Sequence, residues 1–516
     1  MRRAAPAGSA LVDALAAAVR EPGGPAPERR VSHSAWVVLA ADRAYKLKRP
    51  VRLAFLDFST PERRRAACEA ENSVNQALAA PLMLGVRGVR PSDGGVAVCD
   101  PDDRRAIDWL VLMRRFDEGR TMAALLARGA LTADHVRAAA ARIAAFHAAA
   151  GPLADERPAA RVRAIAQRNL EELRAAAGAG AALGEPGELL LHGVDLHAAR
   201  MHARARRGLV RDGHGDLRAE HVLLMPGGEV LVVDRLEFDP ALRRIDVGDD
   251  LSFLTMDLEA LGAPWAARLC VQAYREAGGD PGPPDLLAAF GAHRALVRAK
   301  VALLRAGEPG AEGANAAAAS FVALGARLAW RALGPLVVLV TGPPASGKST
   351  LAAALAARSG LPVLGSDLVR KEILGLPADA PAPAGAYAPA QRTAVYTELG
   401  RRACAILAGG AGMIVDATFG APGLGAAFLA QLAPSDRAGL LAIECRTPPD
   451  VRRARAARPR EAGSDAGPHV AVALGRRFEP LGAGQVVAVD GSAPPARALA
   501  AVERALAARP VATTPA

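Results

Sequence analysis

Leu336-Val337-Val338-Leu339-Val340-Thr341-Gly342-Pro343-Pro344-Ala345-Ser346-Gly347-Lys348-Ser349-Thr350 is a continuous apolar run that breaks at a glycine and resumes as an alanine-rich segment. That order predicts a buried parallel strand, a tight loop and the start of a helix. From Gly342 to Ser349 every fixed position of the pattern GxxxxGK[ST] is filled. Glycine is needed at both ends because backbone N–H groups must approach phosphate oxygens without a Cβ in the way. Lys348 then sets a point charge on the β- and γ-phosphates, Ser349 offers its hydroxyl to Mg²⁺, and the helix N-terminus adds its donors and positive dipole. Gly342, Pro343, Pro344, Ala345, Ser346, Gly347, Lys348, Ser349 and Thr350 are therefore the nucleotide-binding candidates. A chance Gly-rich turn would not come with a strand before it and a helix after it.

At 516 residues the chain is too long for one hydrophobic core, so two or three domains are expected. A hydrophobic content of 51% and a charged content of 23% are those of a folded soluble protein. Lys and Arg number 64 against 53 Asp and Glu, net +11, with the arginines spread through alanine-rich segments instead of forming a tail. This suits anionic ligands such as nucleotides and does not demand nucleic acid. Cys68, Cys99, Cys270, Cys404 and Cys445 form no CxxC pair, which fits a reducing compartment and no disulfide or zinc framework. Asp13 interrupts the apolar stretch after Met1-Arg2-Arg3, and no apolar run approaches a membrane span. The expectation is a cytoplasmic protein with no membrane partner.

Before the quoted stretch the chain reads as a β-rich part followed by a helical one. Residues 9–20 predict a short amphipathic helix and residues 21–27 a Pro/Gly-rich link. Residues 36–40 and 44–48 predict a hairpin around Ala41-Asp42. Thr60-Pro61-Glu62 starts a helix to about Leu78 that carries Glu71. A turn-rich stretch follows, then a strand at 107–113, helix from Thr121, and a helix capped by Thr132 that ends near Phe146-His147. His147 reads as structural. Residues 251–333 read as helical, with bases among apolar residues at 295–305 that suggest a solvated face rather than a substrate-facing stripe.

One segment departs from the alanine-rich background: Val210-Arg211-Asp212-Gly213-His214-Gly215-Asp216-Leu217-Arg218-Ala219-Glu220-His221. A strand at 229–233 follows and ends at Asp234, with Glu237, Asp239, Asp246, Asp249 and Asp250 close behind. Carboxylates just beyond a strand suit Mg²⁺, which takes oxygen ligands. Asp246, Asp249 and Asp250 read instead as capping and turn residues. His214-Gly215-Asp216-Leu217 resembles the catalytic loop of aminoglycoside phosphotransferase-like enzymes, over roughly residues 30–330, and implies a protein-kinase-like α+β fold. The resemblance makes Asp216 the base for the acceptor hydroxyl, Asp234 a metal ligand, Lys46 the phosphate-contacting lysine and Glu71 its helix partner. Lys48 lies on the same strand face and competes with Lys46. The family keeps Asn where this chain has His221, a softer nitrogen ligand in the metal position, so either the second metal site is weakened or this part of the chain is a degenerate, nucleotide-binding relative. His33 and His214 read as packing or loop-orienting groups.

Beyond the phosphate loop, strands at 361–365, 412–415, 440–445 and 486–490 alternate with helices. This predicts an α/β domain with a parallel sheet and a site at the strand C-terminal ends. Residues 335–510 resemble the small P-loop kinases, among them gluconate kinase, chloramphenicol phosphotransferase, zeta toxin and polynucleotide kinase. That resemblance makes Asp367 the group that activates the acceptor hydroxyl, beside Arg370, and Asp416 a second acid for metal or substrate. Arg452, Arg453, Arg455 and Arg458 take the place of a phosphate-covering lid, with an exposed basic helix as the alternative reading. The whole chain resembles bacterial fusions of an aminoglycoside phosphotransferase-like domain, here 1–333, to an AAA-type ATP-binding domain, here 334–516. The implied activity is transfer of phosphate from ATP, with Mg²⁺, to a small-molecule hydroxyl. A P-loop kinase regulated by its first domain and a nucleic-acid 5′-hydroxyl kinase are the alternatives.

Overall fold

In the computed structural model of the chain, which describes residues 8–32, 34–53, 56–177, 184–305, 313–457 and 485–510, the expected hairpin forms. Ala35–Leu39 runs antiparallel to Arg43–Lys48, with Val37 opposite Lys46. The hairpin belongs to a six-stranded antiparallel sheet in the order Glu28–Val31, Ala35–Leu39, Arg43–Lys48, Asp108–Arg114, Met83–Ser92, Gly95–Cys99. Met83–Ser92, with 10 residues the longest strand of that sheet, lies where the sequence reads as turns. Gly85, Gly88 and a register shift between Met83 and Gly85 break the alternation that would have marked it.

Pro61–Ala79 begins as its residues dictate, with the Thr60 hydroxyl accepting from Arg63 N at 3.3 Å. Cys68, Glu71, Asn75 and Leu78 recur on its buried face, so the helix that packs on the sheet also carries an acid inward. Helices Ala133–Ala149, Val247–Ala260 and Pro264–Glu276 share an apolar core with Leu217, Val222 and Val232. Val222–Leu224 pairs antiparallel with Val230–Val232, and Val210–Asp212 with Arg244–Asp246. These elements form one compact unit, Met1–Glu156 with Ala203–Pro281.

The second unit is Arg157–His202 with Gly282–Ala516. Its five-stranded sheet has the order Val363–Gly365, Met413–Asp416, Val337–Thr341, Leu441–Arg446, Gln485–Asp490, and every pairing is parallel. Val337–Thr341 is central and buried throughout, which is why it reads as an unbroken apolar run. The division between compact units does not coincide with the expected junction at 333/334. Helices Pro158–Ala177, Pro284–Arg305 and Ala314–Arg331 pack with the parallel-sheet unit because their apolar faces and polar contacts close there. Trp330 Nε1 donates to Glu503 Oε1 at 3.0 Å, and Arg358 Nε reaches the same oxygen at 3.0 Å. The basic residues at 295–305 are not a solvated face either. Lys300 Nζ bonds Asn169 at 2.8 Å and Glu172 at 2.6 Å, and the Arg298 guanidinium lies 5.4 Å from the Phe321 ring centre. Their long stems let them pack between helices while the heads find partners. No helix among the described residues is long and apolar enough to cross a membrane.

Candidate active sites

Val337–Thr341 delivers the chain into the loop at Gly342, whose φ is 141°. A Cβ there would lie 2.7 Å from the Cys445 carbonyl oxygen, and one on Gly347 (φ 93°) would lie 2.9 Å from that of Gly491. Both positions therefore require glycine for space as well as for backbone angle. Gly347 caps Lys348–Ser359. Ser346 is fully buried, and its hydroxyl has no hydrogen-bond partner among the described residues. Lys348 Nζ folds back on the Pro343 carbonyl at 3.1 Å; burial lowers its pKa, against the pull of Asp416. Burial raises the pKa of Asp416, while Lys348 and the Ser349 hydroxyl draw it down.

Gly347, Lys348, Ser349 and Asp416 line a cavity of about 540 Å³ that also takes in Pro344, Ala345, Thr350, Asp367, Arg370 and Arg455. Asp367 and Arg370 stand one turn apart on Ser366–Ile373 and form an ion pair, with the guanidinium stacked on the Tyr387 ring at 4.6 Å. Arg455 lines the cavity and donates to the Gly491 carbonyl at 2.8 Å. Arg452 turns to the Thr447 carbonyl and Arg453 is exposed; Arg458, like His33, lies outside the described residues. Three further lining residues, Tyr387, Arg392 and Tyr396, belong to no motif. Arg392 and Tyr396 are four apart on Pro389–Ala408, and that spacing is their only trace in the sequence.

The other candidate site lies wholly in the first unit. Lys46 Nζ sits between Glu71 at 2.7 Å and Asp234 at 2.8 Å, while Lys48, almost fully buried, bridges Glu71 at 2.6 Å and Glu237. Both lysines thus meet Glu71, and Lys46 is the one that reaches Asp234. Burial raises the pKa of Glu71, but the two lysines outweigh it and hold it below the ordinary range. Lys46 holds Asp234 well below that range too, and Asp234 adopts a left-handed backbone (φ 60°). Asn75 pins this corner by donating to the Glu71 carbonyl at 2.9 Å and accepting from Arg235 N at 3.1 Å.

Asp216 is gripped by Arg218, Nε to Oδ1 at 3.0 Å and Nη2 to Oδ2 at 2.9 Å. Burial alone would raise its pKa; Arg218 and His221 bring it down to about 2. His221 Nδ1 donates to the Asp216 carbonyl at 2.8 Å, so Nε2 carries the lone pair, 3.0 Å from Arg218 Nη2 and 3.9 Å from Asp234. Burial and Arg218 push the pKa of this imidazole down, against the pull of Asp216 and Asp234. Among the described residues, no three His, Cys, Asp or Glu side chains converge as a metal group. His214 orients the loop as expected: its Nε2 donates to the Val233 carbonyl at 3.0 Å and burial lowers its pKa to about 4. Asp246 caps Val247–Ala260 as expected. Asp250 does more than cap: it accepts from His214 N at 2.6 Å, Gly215 N at 3.0 Å and His147 Nε2 at 3.0 Å, holding the Asp216 loop from beneath. Arg218 and Asn75 are residues here that sequence reasoning gave no role, and for Asp250 it gave only a cap.

Residues 337–481 match the family described as an AAA domain, AAA_33. The uncharacterized protein Rv2004c of Mycobacterium tuberculosis (strain ATCC 25618 / H37Rv) and the uncharacterized protein Mb2027c of Mycobacterium bovis are each 33% identical to this chain over 459 residues, covering 87% of it and 89% of theirs. The chain belongs to their family. Among solved structures, a choline/ethanolamine kinase family protein from Mesorhizobium loti aligns with 59% of this chain and 88% of its own, at 16% identity and a TM-score of 0.34. A sugar kinase from Janibacter sp. HTCC2649 aligns with 33% and 92%, at 18% identity and a TM-score of 0.26. Likenesses of that size carry no activity over to this family member.

Proposed function

We propose that the chain is an ATP-dependent phosphotransferase whose parallel-sheet unit moves the γ-phosphate of ATP to a hydroxyl of a small molecule. The carrying observation is the convergence in one cavity of Gly347, Lys348 and Ser349 of the phosphate loop, Asp416 beside Ser349, and the Asp367–Arg370 pair. The AAA-domain match over residues 337–481 supports the same reading. The loop fits a polyphosphate: two glycines leave room that a Cβ would fill, and the buried Ser346 hydroxyl and the Lys348 ammonium have at most a loop carbonyl to satisfy them. The Ser349 hydroxyl and the Asp416 carboxylate are hard oxygen donors suited to Mg²⁺, which when bound neutralises charge across the β- and γ-phosphates. Lys348 and Arg455 would hold the phosphate oxygens, and Asp367 would orient the acceptor hydroxyl and take its proton, with Arg370 keeping the carboxylate in place.

For the first unit the observations favour a regulatory or catalytically slow site. Arg218 covers both carboxylate oxygens of Asp216, and Lys46 occupies Asp234. The decisive experiment is ATP turnover by the full chain and by Lys348→Ala, with sugars, nucleosides, aminoglycosides and oligonucleotides offered as acceptors. Lys348→Ala is expected to lose roughly a hundredfold or more, because a phosphate-charge contact in transfer is worth several kcal/mol. Near-normal turnover in that variant would locate the activity elsewhere.

A further inference from the structure

Four cations line the cavity of the parallel-sheet unit: Lys348, Arg370, Arg392 and Arg455. Three are already engaged. Lys348 bonds the Pro343 carbonyl, Arg370 pairs with Asp367, and Arg455 bonds the Gly491 carbonyl. The Arg392 side chain is half-buried and makes no hydrogen bond or ion pair among the described residues. Arg455 Nη1 approaches Gly347, and Arg392 stands one turn before Tyr396 on Pro389–Ala408, both of them lining the cavity. Tyr396 is itself fixed, its hydroxyl accepting from Phe419 N at 2.9 Å and its ring edge-on to Phe419 at 4.9 Å. Arg392, Arg370 and Asp367 all bear electrostatically on Tyr396, which groups them on the side where Asp367 would meet an acceptor.

We propose that the acceptor carries an anionic group, a carboxylate or a phosphate, beside the hydroxyl that is phosphorylated, and that Arg392 binds that group. This rests on the phosphotransferase reading above. A neutral acceptor closing the cavity would strip water from a guanidinium and return nothing, whereas a planar fork of donors matches two anionic oxygens. In the step itself the acceptor oxygen bonds the γ-phosphorus, the bond from that phosphorus to the β,γ-bridging oxygen breaks, ADP leaves with the electron pair, and the hydroxyl proton passes to Asp367. Arg392 takes no part in bond making and sets which molecules present their hydroxyl there.

The test is calorimetric titration of the full chain, first with a non-hydrolysable ATP analogue and Mg²⁺, and then, with the analogue saturating, with inorganic phosphate and separately with malonate. One of the two anions is expected to bind the wild type. Arg392→Met is expected to weaken that anion at least about tenfold, the worth of a charge-assisted pair, with Arg392→Lys in between. Arg401→Met, on the same helix but exposed and paired with Glu398, serves as the control for net charge and is expected to match the wild type. Preference for phosphate identifies a phosphorylated acceptor and preference for malonate a carboxylate. Failure of both anions to bind, or equal binding by Arg392→Met, overturns the inference while leaving the phosphotransferase standing. Failure of the analogue to bind overturns both.

Discussion

Arg218→Met tests how the first unit holds its own candidate base. Arg218 is nearly buried and meets both oxygens of Asp216, whose pKa falls from 3.8 to about 2. At 1.36 kcal/mol per unit this is about 2 kcal/mol of stability at pH 7, trimmed somewhat by solvent because the Asp216 side chain is 31% exposed. A carboxyl depressed on folding contributes fully above its unfolded pKa and loses that contribution as pH falls through its folded value. The stability is therefore complete above about pH 5, about half gone near pH 3, and lost below about pH 2. Hydrogen exchange of peptides covering residues 210–224, in the full chain and corrected for intrinsic rates, reads this directly. At pH 7 the variant is expected to exchange about thirtyfold faster than wild type, and the gap should shrink with acid. Arg218 also meets Glu220 and His221, so the same substitution in an Asp216→Asn background isolates the pair. A gap that is independent of pH, or equally large in that background, would mean that Arg218 stabilises the loop by packing and not by pairing with Asp216.

Asp367→Asn is expected to leave ATP binding nearly intact while lowering transfer to the acceptor; weak ATP binding with transfer per bound nucleotide retained would make Asp367 a metal or structural residue. Gly347→Ala forces a Cβ to 2.9 Å from the Gly491 carbonyl at φ 93°, and nucleotide affinity measured by titration is expected to fall at least about tenfold. His221→Asn, made in a Lys348→Ala background so that the phosphate loop is silent, is expected to lower the Mg²⁺ concentration at which the remaining site binds ATP. Loss of that binding instead would give the imidazole an active role.

The phosphate loop, its strand and its helix were legible because one local pattern carries all three: the glycine positions, the apolar run and the capped helix are set by neighbours in sequence. The hairpin with Lys46, the Thr60 cap and the alternation of strands with helices that makes the second sheet parallel followed from equally local rules. The strand Met83–Ser92 was not legible, since Gly85, Gly88 and a bulge erase its alternation and only pairing with Asp108–Arg114 makes it a strand. The helices between 157 and 331 looked like part of the first domain because they precede the loop in sequence; their apolar faces, and Trp330 against Glu503, place them with the second unit instead. Motif spacing singled out Asp216 and Asp234 as charges but could not say who would neutralise them. Arg218 and Lys46 do so across 2 and 188 residues of chain, and Arg392 remains without a counter-ion among the described residues. Such pairings depend on distances in space between side chains that share no local periodicity, and those distances exist only once the chain has folded.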